Sequence, residues 1–170
     1  MRCWLGALFL ATFATTGCRG GASQSERSQA MTPPQAAAVE HGVRVFSHDV
    51  ARDVTAQGPV AWTQYFENDP AFFMAVNGKM AFPSGAAAMA GIPKVAQEYK
   101  HIDLQWGEDL RVDPLTPTLA GVATSWHETL VDAQGHRTDA SGFFTAVAEY
   151  RDGHWQFRNT HWSTNVPNVH

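Results

Sequence analysis

Cysteine and lysine are both scarce in this chain of 170 residues. The cysteines are Cys3 and Cys18, and the lysines are Lys79, Lys94 and Lys100. With a formal net charge of −4 and no basic stripe, the composition argues against nucleic acid and against electrostatic docking on anionic lipid. The sequence also lacks a phosphate loop, a zinc motif, a nucleophile elbow and a dinucleotide fingerprint. We therefore predict no nucleic-acid partner, no cofactor and no metal.

Long apolar runs are lacking too, and the one apolar stretch follows Arg2 at the N-terminus, over residues 3–16. It is shorter than the roughly 20 residues that a membrane-spanning helix needs, and it fits the apolar core of a secretory signal. It ends at Thr15-Thr16-Gly17-Cys18, which resembles the bacterial lipobox. Thr15 departs from that pattern, which prefers an aliphatic residue, so the alternative is an ordinary cleaved signal with an incidental cysteine.

This N-terminus predicts a cellular location and a domain organisation. We expect a signal peptide over residues 1–17, a lipidated Cys18 with a flexible polar tether to residue 31, and one domain over 32–170. Cleavage would remove Cys3, so no intrachain disulfide is expected. The predicted location is the bacterial cell envelope, with the protein lipid-anchored and facing the periplasm or the cell exterior.

The first helix has clear signals at both ends. Thr32 is the predicted N-cap, Pro33 takes the first helical position and Gln35 completes a capping box, whereas Gly58-Pro59 ends the helix. The apolar positions between these ends are spaced by about one helical turn and form one stripe. The stripe consists of Val39, Val43, Phe46, Val50 and Val54.

Shorter elements follow this helix. A second, short helix is expected over residues 62–66, and Asn77-Gly78 favours the type I′ turn of a β-hairpin. Ser84 caps an alanine-rich third helix, which Pro93 is expected to kink or break.

The remainder of the chain alternates as strands. Four are predicted, over residues 101–112, 119–131, 141–151 and 154–165. Because the strands are segregated from the helices, the fold class is α+β. Short turns between the last three strands indicate an antiparallel meander.

Two stretches carry a resemblance to a known family. The first contains Tyr65-Phe66, Asp69, Phe72-Phe73, Gly78 and Gly85, and the second contains residues 152–157 and then His161-Trp162-Ser163. Both resemble the nuclear transport factor 2-like superfamily, in its polyketide-cyclase-like and ketosteroid-isomerase-like branches. The resemblance covers residues 33–165. It implies a cone-shaped domain, in which a strongly curved antiparallel sheet wraps around the long N-terminal helix, with two shorter helices. The Tyr/Asp/Asp set of ketosteroid isomerase has no counterpart here, so the fold implies no reaction.

The last strand supplies the candidate polar site. Regular alternation would place Asn159, His161 and Ser163 on the same face as Trp155 and Phe157. Such a face changes from apolar to polar along its length, as the wall of a ligand pocket does. His161 is the candidate catalytic residue because histidine is the side chain most often used as a general acid or base. The alternative is that His161 merely satisfies a polar end of the core.

Aromatic residues are expected to complete the pocket. The predicted apolar ligand contacts are Trp62, Tyr65, Phe73, Trp106 and Phe157. The alternative is that these side chains form an ordinary core.

Three functions remain open from the sequence. The favoured one is binding of a small apolar ligand, or of an envelope partner, in or around the cone pocket. The second is a proton-transfer enzyme of the isomerase, cyclase or dehydratase kind that uses His161, with Glu108 as a secondary candidate carboxylate. The third is a homodimeric scaffold, since family members commonly dimerise through the outer sheet face. Its expected contacts are Trp126, Phe144, Tyr150 and Trp162.

Overall fold

Residues 31–165 are described by a computed structural model, and the predicted signal peptide, the lipidation site Cys18 and almost all of the tether lie outside them. The long first helix, α1, spans Pro33–Gln57 and begins at the predicted capping box between Thr32 and Gln35. The five apolar residues of its predicted stripe are all buried. No helix within residues 31–165 is long and apolar enough to cross a bilayer.

Two shorter helices follow α1, as predicted. A 3-10 helix spans Pro59–Gln64, and α2 spans Gly85–Glu98 with Ser84 as its N-cap. Of the predicted kink or break at Pro93, the break is wrong, because the helical backbone of α2 continues through this residue. A proline inside a helix removes one backbone hydrogen bond, and here the residues on either side keep the helical conformation.

Seven strands form one curved sheet. Their bounds are β1 Phe73–Val76, β2 Lys79–Phe82, β3 Tyr99–Trp106, β4 Arg111–Thr116, β5 Leu119–Asp132, β6 Arg137–Arg151 and β7 His154–Thr164. The strand order is β2-β1-β7-β6-β5-β3, with β4 also paired to β5. The predicted hairpin is confirmed, because Asn77 and Gly78 both have positive φ between β1 and β2. The α+β class is confirmed, and so are the curved sheet, the long N-terminal helix and the two shorter helices.

The sheet differs from the prediction in two respects. It is mixed, because β1 pairs with β7 in parallel. The single strand predicted over residues 101–112 is two strands, β3 and β4, which both pair with β5. The chain leaves the ladder at Gly107, whose amide donates to the Ser125 carbonyl, and Glu108 therefore lies exposed in a loop rather than on an apolar face.

The concave side of the sheet packs on α1, and the stripe of α1 supplies the centre of that contact. Val43 has no exposed surface, whereas Val45, two residues further along α1, is 47% exposed.

We predict that Val43→Ala lowers the free energy of unfolding by about 2 kcal/mol, because it removes buried methyl groups and leaves a void. Urea denaturation measures this change.

Val45→Ala is the matched control on the same helix, and it should change the free energy of unfolding by less than about 0.5 kcal/mol. Equal effects of the two substitutions would contradict the packing of α1 against the sheet.

Candidate functional site

A β-bulge at Arg158 decides which side chains of β7 face the interior. Across the β6–β7 ladder Ala148 pairs with Phe157 and Val147 with Asn159, so Arg158 has no partner in the register. One extra residue in a strand moves every later side chain to the opposite face. Phe157 is fully buried, and beyond the bulge the buried residues of β7 are Thr160 and Trp162.

The polar wall predicted on β7 is therefore wrong. Asn159, His161 and Ser163 lie on the outer face of the sheet, away from Phe157, and His161 is exposed. The prediction assumed unbroken alternation, and the bulge breaks it between Phe157 and Asn159. His161 pairs in register with Thr145 of β6 and Ala75 of β1, which share that outer face.

The inner face of the sheet carries a cavity of about 410 Å³ between the 3-10 helix, α2 and the sheet. We call it the inner cavity. Its lining consists of Pro59, Trp62, Phe66, Met74, Val76, Phe82, Ile92, Val95, Tyr99, Ile102, Trp126, Glu128, Leu130, Ala140, Trp162 and Thr164. The volume falls in the range of about 300 to 1,000 Å³ that is usual for small-molecule sites.

Glu128 is the one charged residue of this lining. It lies on β5 between Leu104 of β3 and Ala140 of β6, and its strand neighbours on the same face are Trp126 and Leu130. Glu128 is half-buried, and this partial burial in an apolar wall raises its pKa from the ordinary value of 4.5 to about 7. No hydrogen bond or neighbouring charge within residues 31–165 offsets that burial. The inner cavity thus holds a carboxyl group whose raised pKa lies near neutral pH.

Glu128 was missed as a candidate by sequence reasoning. The alternation of β5 places Glu128 on the face of Val122, Thr124 and Trp126, all of which are buried. That pattern is visible in the sequence, where an ionisable residue interrupts the inward positions of a long strand. Within the described residues no cluster of three potential metal-ligating side chains exists.

Apart from the Tyr99 hydroxyl, the other polar groups of the lining are less accessible or already engaged. The indole nitrogens of Trp126 and Trp162 are sealed from solvent and find no hydrogen-bond partner among the described residues. The two rings pack edge to face, with centroids 5.4 Å apart. The hydroxyl of Thr164 accepts a hydrogen bond from Asn77 Nδ2 at 3.2 Å. A ligand would thus meet the Glu128 carboxyl as the main polar group of the wall.

Of the aromatic residues predicted to contact a ligand, Trp62 lines the inner cavity. Phe157 is fully buried in the core, and Trp106 donates from its indole nitrogen to the Ser47 carbonyl at 2.7 Å. Phe73 lies on the outer face and is 41% exposed. These three side chains lie outside the lining of the cavity, which fits the alternative of an ordinary core for Phe157 and Trp106.

Tyr65 also has a partner outside the cavity. Its hydroxyl donates to Asp53 Oδ2 of α1 at 2.5 Å, and Arg52 Nε donates to Asp53 Oδ1 at 2.8 Å. Burial, with the hydrogen bond to Asp53, raises the pKa of Tyr65, while the hydrogen bond from Arg52 lowers the pKa of Asp53. The Tyr65 hydroxyl is therefore committed to fixing the end of the 3-10 helix on α1.

The residues predicted to form a dimer face lie on the inner side of the sheet. Trp126, Phe144 and Trp162 are buried, whereas Tyr150 follows the same alternation of β6, packs on Trp155 with ring centroids 5.4 Å apart and is 43% exposed. The outer face instead exposes Phe73 and, on β6, Phe143. Trp162 faces the inner side because the bulge reverses the alternation of β7. Trp126 and Phe144 face the inner side because of their positions in the regular alternation of β5 and β6.

A second buried carboxyl lies outside the inner cavity. Glu67 is 2% exposed, and its Oε1 has no hydrogen-bond partner among the described residues. Burial and then the charge of Glu149 raise the pKa of Glu67, whereas Arg151 and Arg158 oppose that rise. Arg151 and Arg158 are themselves bound to Glu149. Glu67 therefore lies close enough to these charges to feel them, and it is not part of the lining of the inner cavity.

Comparisons with known proteins establish the fold. No protein-family model matches the sequence, and no curated protein matches it. Solved structures do match. A nuclear transport factor 2-like superfamily protein from Salmonella enterica serovar Typhimurium LT2 superposes with a TM-score of 0.61 at 12% identity, over 79% of this chain and 94% of its own. The chain therefore has the nuclear transport factor 2-like fold.

Two further structures illustrate the range of this fold. Hexachlorocyclohexane dehydrochlorinase LinA-type3 from Novosphingobium barchaimii LL02 has a TM-score of 0.62 at 13% identity, over 82% of this chain and 97% of its own. An NTF-2 like protein of unknown function from Shewanella oneidensis MR-1 has a TM-score of 0.58 at 16% identity, over 72% and 97%. At such low identity the likeness extends to the fold alone.

The raised pKa of Glu128 makes a prediction about stability. When a carboxyl has a higher pKa in the folded protein than in the unfolded protein, it stabilises the fold at any pH below the unfolded-state pKa. That stabilisation is lost as the pH rises through the folded-state pKa. The stability of the wild type should therefore fall between about pH 4.5 and 7. Glu128→Gln should remove this part of the fall, and by about pH 8 it should be more stable than the wild type by at most about 3 kcal/mol.

Urea unfolding of both proteins across this pH range measures the effect. Glu108→Gln, in the exposed loop, is the control and should follow the wild type. A stability difference between Glu128→Gln and the wild type that does not change with pH would contradict the burial of the Glu128 carboxyl.

Proposed function

We propose that this protein binds a small, largely apolar molecule in the inner cavity, with Glu128 as its principal polar contact. The observation that carries the proposal is an apolar cavity of about 410 Å³ with a single unpartnered carboxyl on its wall. Concave apolar sites with a few polar groups are the usual form of small-molecule sites. A buried carboxyl with a perturbed pKa is a frequent mark of a functional site.

The inner cavity is a better candidate than the outer face that holds His161. The side chains around His161, from Thr145 and Ala75, lie on an open sheet surface. Such a surface excludes little water, so it offers a ligand less apolar contact than the cavity does. The proposal therefore keeps the ligand class expected from the sequence and moves its polar contact from His161 to Glu128.

A second candidate function is proton transfer, with Glu128 in place of His161 as the acid or base. Its support is the Glu128 carboxyl, whose pKa of about 7 suits it to take up and release a proton near neutral pH. One protein of similar fold is a hexachlorocyclohexane dehydrochlorinase by name, so the fold is compatible with an enzyme. Binding is the first candidate because no second catalytic group is assembled around Glu128 within the described part of the chain.

Blocking the inner cavity should abolish binding. Val95 of α2 lines the cavity, whereas Ala90 of the same helix is exposed. We predict that Val95→Trp weakens binding of Prodan, a compact neutral fluorescent dye, roughly tenfold or more, because the indole occupies the ligand volume. Fluorescence titration measures the affinity, and circular dichroism verifies that the variant is folded.

Ala90→Trp adds the same side chain outside the cavity and should bind the dye like the wild type. Equal affinity in all three proteins would place the dye elsewhere and sink the proposal, as would a wild type that binds no dye.

We further propose that the protein is exported and anchored by lipid at Cys18, a residue that lies outside the described part. The support is the sequence alone, in the apolar segment and the Thr15-Thr16-Gly17-Cys18 motif. Cys18→Ser should release the protein from membranes or block its processing, because acylation needs the thiol. Membrane fractionation and the mass of the mature chain report both outcomes.

Cys3→Ser is the matched control, since Cys3 lies within the segment expected to be removed. If Cys18→Ser stays on the membrane and is processed like Cys3→Ser, the lipid anchor is excluded.

A further inference from the structure

Six aromatic side chains share the wall of the inner cavity with the Glu128 carboxyl. They are Trp62, Phe66, Phe82, Tyr99, Trp126 and Trp162. Aromatic rings, and indoles most of all, attract cations through their quadrupole. The cavity thus combines the two features that stabilise an organic cation away from water, an aromatic surround and an anionic group.

We infer that the preferred ligand of the inner cavity is a compact apolar amine in its protonated form, whose ammonium group pairs with the Glu128 carboxylate. The inference rests on the proposed function, because it names the chemical class of the ligand for the same cavity. The apolar body of such a ligand would contact the aliphatic part of the lining, such as Ile92 and Leu130.

The state of Glu128 favours a cation over other ligands. Its burial is costly when it is ionised, and no partner among the described residues relieves that cost. A bound ammonium would relieve it, since an ion pair with hydrogen bonds is much less costly to bury than one unpaired charge. A neutral alcohol could offer only a hydrogen bond. A carboxylate ligand would face Glu128 without a basic residue in the lining to balance the two charges.

The charges around the cavity are consistent with this preference. Tyr99 of β3 is the other titratable residue in the lining, and the 3-10 helix, β1, β2, α2, β6 and β7 contribute none to it. The full chain also carries a formal net charge of −4, which favours the approach of cations. Amine affinity should therefore rise with pH through the pKa of Glu128, about 7, as the carboxylate forms.

Three rigid ligands of nearly identical shape test the inference. They are adamantan-1-amine, adamantan-1-ol and adamantane-1-carboxylate, and their affinities for the full-length chain are measured by calorimetry. At about pH 8 the amine should bind roughly tenfold more tightly than the alcohol, and the carboxylate least tightly. At about pH 5 the preference for the amine should shrink several-fold, because Glu128 is then protonated while the amine keeps its charge.

Two variants locate the preference. Glu128→Gln keeps the shape of the side chain and should bind the amine and the alcohol equally, whereas Glu108→Gln removes an exposed carboxylate and should retain the wild-type preference. Retained alcohol binding by Glu128→Gln shows that its cavity is intact. If that variant fails to fold, the pH dependence in the wild type decides the question.

Each remaining outcome counts against the inference. If the alcohol binds the wild type as tightly as the amine at about pH 8, or if the amine preference survives in Glu128→Gln, the ligand class is wrong while the cavity remains a binding site. If none of the three ligands nor Prodan binds, the proposed function fails as well.

Discussion

The bulge at Arg158 is the constraint on which the interior of this protein depends. One edge of β7 pairs with β6, and the bulge lies where the opposite edge changes from one partner segment to another. The amide of Phe157 donates to the Tyr65 carbonyl at 2.7 Å, and the Phe157 carbonyl accepts from the Glu67 amide at 3.0 Å, before β1 takes over the edge from Asn159 onward. The extra residue, Arg158, thus lies between the part of β7 that bonds to residues 65–67 and the part that pairs with β1. Its consequence is that Trp162 points into the inner cavity and that His161 points out.

Local patterns in the sequence predicted the elements well and the faces of β7 poorly. The capping box at Thr32, the α1 stripe and the Asn77-Gly78 turn each depend on neighbouring residues, so they could be recognised in the sequence. The bulge lies beside hydrogen bonds from Phe157 to the distant segment 65–67, and nothing in residues 154–164 signals it. The break between β3 and β4 likewise lies beside a distant strand, where the Gly107 amide donates to the Ser125 carbonyl of β5. Glu128 could have been predicted, because the alternation of β5 is regular.

The inner cavity contains a carboxyl that the fold does not stabilise. In most buried sites an acidic group is hydrogen-bonded or paired, yet within residues 31–165 burial alone sets the pKa of Glu128. Leucine at this position of β5 would match its neighbours Trp126 and Leu130 and would avoid the loss of stability at neutral pH. A departure of this kind from simple packing is typical of a site that a ligand completes. This cost is the physical basis for assigning function to the cavity.

The location of a bound ligand tests the account most directly. Crystals soaked with 1-bromoadamantane should show the anomalous signal of bromine within the inner cavity, between Trp126, Glu128 and Trp162. The bromine marks a compact apolar body without a charge, so the result does not depend on which polar group the natural ligand carries. A signal on the outer face beside His161, or an inner cavity that stays free of bromine at saturating ligand, would contradict the assignment.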